Sequence, residues 1–327
     1  MYSGRVDARR TLAKFEEAVA LERSRLGVLG GVPRRELDRL YLEEIAASTA
    51  LAGAHLSLSE VEALVQRGVV IGQHPLEACI AVSDYADAVR FLREATLHAG
   101  RRPYLRVGEI VGLHARALRR AEAGEPGTWR TLNVGPFPGG MMPPGPALVP
   151  SQMLALVDRF GVGPPPGRST LLWVAEAHRR FTRIHPFLRG SGRTGRLVVN
   201  LLLHRLDLPP LALRSRAARR YLAALNEAGS PDLTALALIL ARALLAGLTR
   251  LASAAEKNAE LRALASLAED PERAALYKAA QRGRLRTVRR NGVLLTTAVW
   301  IAEYRASRRA RQVPALRPSR SEGPLAS

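Results

Sequence analysis

One stretch of the sequence, residues 185–196, combines the residue types that phosphate chemistry needs. It holds a histidine, three glycines and three arginines, namely His185, Gly190, Gly192, Gly195, Arg189, Arg193 and Arg196. Glycine lets backbone N–H groups converge on a ligand, and a helix N-terminus adds partial positive charge. Arginine matches phosphate geometry with paired donors, and histidine can act as a base near neutral pH. The stretch predicts a phosphate site with a general base at its mouth; the alternative is a basic glycine-rich loop between two buried helices.

Two runs rich in apolar residues must position this stretch. Residues 171–184 lead into it with a helical period, and residues 197–206 lead out of it. We therefore expect a helix over 169–184, a short loop, and a second helix over 192–206. In this arrangement the histidine follows the first helix and the glycines and arginines lie at the start of the second.

Composition predicts a helical protein with an anionic partner. The 327 residues contain much alanine and leucine and only 5% aromatic residues, which favours an all-α fold with one large domain and something smaller. Lysine and arginine number 49 against 29 acidic residues, a net charge of +20. The preference for arginine over lysine can reflect genome base composition alone, but the excess of positive charge favours an anionic partner.

The expected compartment is the cytoplasm. The single cysteine, Cys79, excludes an intramolecular disulfide and lies in an apolar run typical of a core residue. Residues 1–26 show no apolar signal-peptide region, and the sequence shows no uninterrupted apolar stretch long enough for a bilayer. We therefore expect a cytoplasmic protein without a membrane partner; the oligomeric state stays open.

Breaks in the helical pattern divide the chain into four predicted parts. These are an N-terminal helical segment at 1–100, a core at 101–254, a small C-terminal domain at 255–307 and a disordered basic tail at 308–327. Within the first two parts we expect helices at about 8–26, 33–52, 57–68, 75–98, 105–122, 151–161, 169–184, 192–206, 216–228 and 231–253. Residues 124–150 hold many glycines and prolines, and within them 131–134 and 141–142 are predicted to form a short hairpin.

The C-terminal part changes character after residue 256. A helix is expected over 271–281, ended by Gly283, and another over 297–307. Between them, Asn291–Gly292 separates two β-prone runs, which is a strong hairpin signal. A helix, a basic hairpin and a helix in this order resemble the small winged helix-turn-helix of excisionase-like DNA-binding proteins.

A cluster of positive charge accompanies this predicted hairpin. Residues 278–290 contain six basic residues and no acidic residue. The candidate DNA-binding residues are Lys278, Arg282, Arg284, Arg286, Arg289 and Arg290. Duplex DNA is therefore a possible partner through phosphate contacts, and the alternative is a solvated accessory hairpin.

Residues 185–196 resemble the signature of the Fic (Fido) family, His-Pro-Phe-x-(Asp/Glu)-Gly-Asn-Gly-Arg-x-x-Arg. The resemblance extends upstream of this signature loop. Residues 178–184 are similar to the family's preceding helix, and residues 125–130 and 149–150 are similar to its flap region. Residues 48–53 and 56–61 resemble the family's inhibitory helix and the segment after it.

The resemblance implies a nucleotide-binding helical domain with a short β-hairpin flap that transfers AMP from ATP to a protein Ser, Thr or Tyr hydroxyl. In that reading His185 is the catalytic base, residues 190–192 donate to the migrating phosphate, and Arg193 and Arg196 face the pyrophosphate. The nucleotide-binding residues it implies are Arg189, Gly190, Ser191, Gly192, Arg193, Thr194, Gly195, Arg196 and Tyr221. Tyr221 matches a family position near the nucleotide base, although a role as a core tyrosine explains it equally well. Family members bind a target segment along the flap by strand addition, and the sequence does not identify that target.

Three departures from the family pattern weaken this expectation. Arg189 replaces the acidic residue that holds Mg²⁺ in the family, and a guanidinium offers only donors and positive charge. If Arg189 points inward it repels the ion or substitutes for its charge; if it points outward, one ligand is missing. Ser191 replaces the signature asparagine, and Ala52 replaces the inhibitory glutamate. We expect ATP as the substrate, no metal ligand among these residues and weakened transfer; the alternative is a DNA-binding regulator whose Fic-type domain binds nucleotide without turnover.

Overall fold

A computed structural model describes residues 2–28, 33–97, 104–120, 125–137, 140–214, 217–226, 232–258, 261–268 and 271–312. The fold is mostly helical with one small sheet, as the sequence predicts. The chain forms two compact units. The first comprises Met1–Arg23 with Val32–Ser253, and the second comprises Ser24–Gly31 with Ala254–Ser327.

The helices of the larger unit follow the expected pattern closely. Their bounds are α1 Tyr2–Val28, α2 Arg34–Ala50, α3 Leu58–Arg67, α4 Leu76–Leu97, α5 Val107–Ala117, α6 Val149–Gly161, α7 Thr170–Ile184, α8 Ser191–Arg205, α9 Ala218–Asn226 and α10 Thr234–Asn258. Helix α5 ends several residues earlier than the predicted 122. Residues 216, 227, 228 and 231, which the predicted last two helices include, lie outside the described residues.

Local sequence signals set the ends of α3. The Ser57 side chain accepts a hydrogen bond from the Glu60 backbone N–H, and the Glu60 carboxylate accepts one from the Ser57 N–H. This reciprocal pair is the capping box that the Ser-x-x-Glu spacing predicts. At the other end Gly68 takes the left-handed conformation with φ +67°, which glycine adopts with little strain.

Helices α7 and α8 form the packed centre of the larger unit. Their inward faces include Trp173, Phe181, Leu197 and Leu201, each with at most 1% of its surface exposed. Helix α5 packs against α8 and helix α6 against α7. The loop between α7 and α8 is therefore fixed at both ends by buried helices.

The predicted flap hairpin is not a pair of strands. The described residues between 125 and 148 contain no strand and form turns and one 3₁₀ turn at Pro146–Leu148. Two backbone hydrogen bonds, from Phe137 N–H to Met141 C=O and from Gly140 N–H to Phe137 C=O, both at 2.9 Å, close the described part of this turn on itself. Prolines 136, 143 and 144 lack the N–H donors that a ladder requires, which accounts for the difference.

Helix α10 contains an apolar stretch long enough to cross a bilayer, although the sequence was expected to contain none. By length and composition, residues 234–256 are sufficient to cross a membrane, although half of them are buried in the protein. Its buried residues, among them Leu240, Leu244 and Leu248, form part of the core.

The smaller unit is a compact helix-and-sheet module. Helix α11 Leu264–Leu267 and helix α12 Arg273–Gln281 precede strands β2 Val288–Arg290 and β3 Val293–Thr296, and helix α13 Ala298–Gln312 follows. Strand β1, Arg262–Ala263, pairs antiparallel with β3, so the sheet order is β1-β3-β2. The core includes Leu264, Leu276, Leu285 and Trp300.

The predicted hairpin turn at Asn291–Gly292 is confirmed. Both residues have positive φ, 48° and 78°, as a two-residue turn between twisted strands requires. The sequence did not predict β1 or α11, which are too short to show a period. Helix α13 continues to Gln312, so residues 308–312 are helical rather than disordered, and residues 313–327 lie outside the described residues.

Candidate active site

The part of the signature loop that connects α7 to α8 begins and ends with residues in the left-handed conformation. His185 caps α7 with φ 48°, and its N–H donates to Phe181 C=O at 3.1 Å. Gly190 precedes α8 with φ 72°. A non-glycine residue rarely adopts positive φ without a reason, so the conformation of His185 indicates that the surrounding structure imposes it.

Gly190 cannot be replaced without moving its surroundings. A Cβ built on Gly190 would lie 2.3 Å from Leu118 Cδ1, and Leu118 is itself buried. Gly192 differs because it is exposed and a Cβ there would meet nothing closer than Arg196 Nη1 at 3.5 Å. Glycine at position 190 therefore serves packing, whereas position 192 leaves open space at the helix start.

The start of α8 presents backbone N–H donors of the kind that bind anions. The first N–H groups of a helix lack intrahelical acceptors, and here they belong to Ser191, Gly192 and Arg193. The N–H of Thr194 is the first that bonds back, to Gly190 C=O at 2.9 Å. Donors that lack intrahelical acceptors and the dipole of a 15-residue helix together favour a phosphate at this point.

Ser191 stabilises the loop through its side chain. Its hydroxyl donates to Phe187 C=O at 2.9 Å and accepts from Phe187 N–H at 3.0 Å. Since Ser191 is 3% exposed, its hydroxyl is committed to the loop. The predicted contact of Ser191 with a phosphate is therefore limited to its backbone N–H.

The two signature arginines after the glycines are held inside the protein. Arg193 and Arg196 are 6% and 7% exposed. Arg196 donates from Nε to Ser48 Oγ at 2.6 Å and from Nη2 to Ser48 C=O at 2.8 Å. Helix α2 thus holds Arg196 although Ala52, at the position of the family's inhibitory glutamate, is exposed and has no carboxylate.

A second residue of α2, Glu44, lies near Arg196. Glu44, Ser48, Arg196 and Asn200 line one small cavity. The Glu44 carboxylate accepts from Tyr85 Oη at 2.7 Å, and burial raises its pKa to about 7. The sequence analysis did not identify Glu44, because nothing in its neighbourhood marks a charge as buried.

The predicted base is partly buried next to the flap. The His185 ring centroid lies 5.3 Å from that of Phe137, and the His185 Nδ1 atom has no hydrogen-bond partner among the described residues. Burial, and then the charge of Arg130, lower the pKa of His185 to about 4. His185 is therefore neutral at pH 7 and can accept a proton, although it is a weaker base than the sequence suggested.

Arg130 ties the flap to the signature loop. Its guanidinium donates to four carbonyl groups: His185 at 2.7 Å, Leu132 at 3.0 Å, Ile184 at 3.4 Å and Pro144. Its backbone N–H donates to Pro186 C=O at 2.9 Å. At 4% exposure, this arginine is a structural cross-link.

His114 on α5 makes a second connection. Its ring stacks on Phe187 with centroids 3.5 Å apart. Its Nδ1 accepts from Gly127 N–H at 2.8 Å, and its Nε2 lies 3.1 Å from Arg189 C=O. These two contacts require the neutral ring with its proton on Nε2, and burial lowers the pKa of His114 to about 4. Sequence alone gave no signal for this residue beyond its place in a helical pattern.

The residues present do not fit a Mg²⁺ site. Arg189 occupies the acidic position, and its side chain is exposed. Among the described residues no group of three or more His, Cys, Asp or Glu side chains converges as metal ligands. The donor set at the signature loop consists of N–H and guanidinium groups, which bind anions and not cations.

The remaining predicted nucleotide-binding residues are buried behind the loop. Thr194 is fully buried, and a Cβ at Gly195 would meet Phe181 at 3.1 Å and His178 at 3.2 Å. Tyr221 is 1% exposed and its hydroxyl lies 2.7 Å from His178 Nε2. A side-chain contact from Thr194 or Tyr221 to a nucleotide would require that side chain to move, so the observed role of both residues and of Gly195 is packing. Tyr221 takes the core position that the sequence left as its alternative.

Residues 104–203, which include the whole loop, match the Fic/DOC family. This part of the chain is similar to the Fic/DOC family. The domain matched by the family begins before α5 and ends within α8, so it contains His114, Arg130 and the signature loop.

Similar proteins support the assignment of the Fic/DOC domain. The chain is 30% identical over 200 residues to the protein adenylyltransferase fic-1 of Caenorhabditis briggsae, and the match covers 61% of this chain and 39% of that protein. It is 27% identical over 205 residues to the protein adenylyltransferase Fic of Nematostella vectensis, covering 62% and 47%. The chain therefore spans less than half the length of these relatives.

Solved structures agree on the fold. Fic-1 from C. elegans, residues 134–508, superposes with a TM-score of 0.66 at 25% identity and covers 76% of this chain and 74% of that one. A Fic family protein from Desulfovibrio desulfuricans gives a TM-score of 0.58 at 21% identity and covers 89% and 95%.

Proposed function

We propose that this protein transfers AMP from ATP to a hydroxyl group of a target protein. The observation that carries the proposal is the signature loop, in which His185 ends α7, the start of α8 offers N–H donors that lack intrahelical acceptors, and Arg193 and Arg196 are buried. The adenylyltransferases at 27–30% identity support the same reaction and ATP as its substrate.

The residues of the loop divide this chemistry between them. His185 accepts the proton of the target hydroxyl, the hydroxyl oxygen forms a bond to the α-phosphorus of ATP, and the bond to pyrophosphate breaks. The N–H groups at the start of α8 stabilise the charge on the phosphate oxygens. Arg193 and Arg196 neutralise the departing pyrophosphate. For Arg196 this requires an exchange of partners, because Ser48 holds it in the nucleotide-free structure.

Intact-protein mass spectrometry tests the proposal directly. The full-length protein is incubated with ATP and either Mg²⁺ or Mn²⁺, alone and with a cell extract as the source of targets. Gain of one AMP unit on the protein or on an extract protein is expected. Calorimetric binding of ATP without any such gain would instead support a nucleotide-binding regulator.

The absent metal ligand gives the first mutational prediction. We expect Arg189→Asp to raise the transfer rate with Mg²⁺, by tenfold or more, because it supplies a carboxylate ligand and removes a positive charge. The matched control is Arg189→Gln, which removes the charge without adding the ligand and should raise the rate much less. Rates come from AMP incorporation. Equal rates in all three proteins would show that Arg189 is already compatible with catalysis.

The lowered pKa of His185 predicts an unusual pH profile. A histidine is a base only when neutral, so lowering its pKa to about 4 keeps it active at pH values where an ordinary histidine is protonated. We expect kcat/KM, which reports the free enzyme, to stay constant from about pH 8 down to about pH 5.5. Circular dichroism at each pH shows that the protein remains folded. An acid limb near pH 6.5 would mean that His185 is not shielded in solution.

A second candidate function is regulation through DNA. The observation that favours it is the smaller unit, where α11, α12 and the β2–β3 hairpin follow in the order of a winged helix-turn-helix. Five of the predicted contact residues are exposed around α12 and the hairpin: Lys278, Arg282, Arg284, Arg286 and Arg289. Arg286 is engaged within the unit, since it pairs with Glu256 at 2.9 Å and lies over the Trp300 ring. The side chain of Arg290 lies outside the described residues.

Salt dependence distinguishes a DNA contact from a solvated surface. Each neutralised phosphate contributes about 0.9 to the slope of log K against log salt on duplex DNA. We therefore expect Arg284→Gln combined with Arg289→Gln to reduce that slope by roughly 1.8 on any sequence. Arg286→Gln is the internal control and should change it little. A full-length protein that binds no duplex at low salt would leave the module without a DNA role.

A further inference from the structure

A cavity of about 300 Å³ lies in the larger unit between α2, α10 and the segment that leads into α9. Its floor includes Leu40 and Leu213, which are 3% and 5% exposed, and Gly247, where α10 approaches α2 closely. None of the residues that line it belongs to the signature loop. The volume is at the lower end of the range for small-molecule sites, about 300–1,000 Å³.

Positive charge dominates the wall of this cavity. Among the described residues, four arginines line it against one carboxylate, that of Glu43, which leaves three positive charges in excess. The arginines are Arg214, Arg220, Arg242 and Arg250. They come from two separate parts of the chain, so the fold brings them together and not the sequence.

The Glu43 carboxylate pairs with only some of the guanidinium N–H donors in the cavity. Arg250 Nη1 donates to both of its oxygens, at 2.7 and 2.9 Å, and Arg214 Nη2 lies 3.2 Å away. The Nε and Nη2 atoms of Arg250 have no partner in the described part of the chain. Within the same described ranges, neither Arg220 nor Arg242 forms an ion pair with an acid.

We propose that this cavity binds a small organic phosphate, of the size of a nucleoside monophosphate. Guanidinium groups pair with phosphate oxygens through two parallel hydrogen bonds, and the excess charge matches a dianion. The apolar floor provides the surface for an uncharged ring or sugar, which inorganic phosphate lacks.

The proposed site is separate from the signature loop. Glu43 and Glu44 are neighbours on α2, but Glu43 lines the arginine cavity and Glu44 lines the cavity that contains Arg196. Leu213 borders both cavities and lies between them. The proposal does not depend on AMP transfer, since it concerns residues outside the transferase site.

The test is calorimetric titration of the full-length protein with AMP at low ionic strength. The variant Arg220→Gln with Arg242→Gln should lose one equivalent of bound AMP or bind that equivalent at least tenfold more weakly. Arg219→Gln is the matched control, because Arg219 is exposed and adjacent to Arg220 but does not line the cavity. It should bind AMP as the unaltered protein does. This difference of one equivalent is expected whether or not the signature loop also binds AMP.

Two further ligands test the arginine wall and the apolar floor of the cavity separately. Adenosine, which lacks the phosphate, should not bind at the cavity, and inorganic phosphate should bind at least tenfold more weakly than AMP. The proposal is overturned if AMP binding is the same in the double variant and the unaltered protein, or falls equally in Arg219→Gln. Inorganic phosphate binding as tightly as AMP would also overturn it, because the apolar floor would then contribute nothing. Thermal unfolding confirms that all variants are folded.

Discussion

Replacing His185 by alanine is expected to reduce AMP transfer at least a hundredfold while the affinity for ATP changes by no more than about threefold. The reason is that the proposed base removes a proton in the transition state, where general-base catalysis contributes about 10²–10⁴ in rate. Nucleotide affinity instead depends on the α8 N–H groups and the arginines, which the variant leaves in place. AMP incorporation measures the rate, and calorimetry measures the affinity.

The control for this experiment is His55→Ala, which changes an exposed histidine outside the loop and should leave both quantities unaltered. If His185→Ala retains the full rate, the proton leaves by another route and the proposed role of His185 is wrong. If transfer and ATP affinity fall together, His185 acts by positioning the loop, which its left-handed backbone conformation also requires.

Replacing Arg130 by methionine is expected to lower the free energy of unfolding by about 3 kcal/mol. Methionine fills a similar volume but leaves the four carbonyl groups without their donor, and a buried unsatisfied polar group costs about 1–3 kcal/mol. The variant should also lose transfer activity, because the flap and the signature loop share this side chain. Urea unfolding followed by circular dichroism gives the free energy.

Two further variants isolate the cause. Arg106→Met removes an exposed arginine from the same domain and should change stability by less than about 0.5 kcal/mol. Arg130→Lys keeps the charge but offers one point donor in place of a planar fork, so it should fall between the methionine variant and the unaltered protein. A loss below 1 kcal/mol for Arg130→Met would mean that water replaces the guanidinium at the carbonyls.

The sequence predicted the helices and the loop that form the site better than the side-chain contacts that connect them. The position of the signature loop between two helices followed from a 3.6-residue period and a cluster of glycines, both of which are local signals. The same was true of the Ser57 cap and the Asn291–Gly292 turn. His114 and Arg130 were not identified as site residues, because their contacts with the signature loop and the flap join residues between 13 and 75 positions apart in the sequence and no local pattern encodes such contacts.

Other differences arose from properties that only packing determines. The flap segment has residues that could extend into strands, but its prolines remove the donors a ladder needs. His185 was expected to be a base with a nearly neutral pKa. The burial that lowers this pKa arises from tertiary packing, which no local sequence pattern shows. Tyr221 could not be assigned to the core or to a ligand until its contact with His178 was known.

Under the proposed function, the hydrogen bonds from Arg196 to Ser48 make nucleotide binding and the docking of α2 competing equilibria. A phosphate that draws the guanidinium away leaves the Ser48 hydroxyl and carbonyl to find other partners, so occupancy of the loop weakens the last turn of α2. Linkage makes this reciprocal: any partner that loosens α2 raises nucleotide affinity by the same factor. The amide protons of residues 45–51 should then exchange with solvent faster in the nucleotide complex than in the free protein, which turns the end of one helix into a reporter of the site's occupancy.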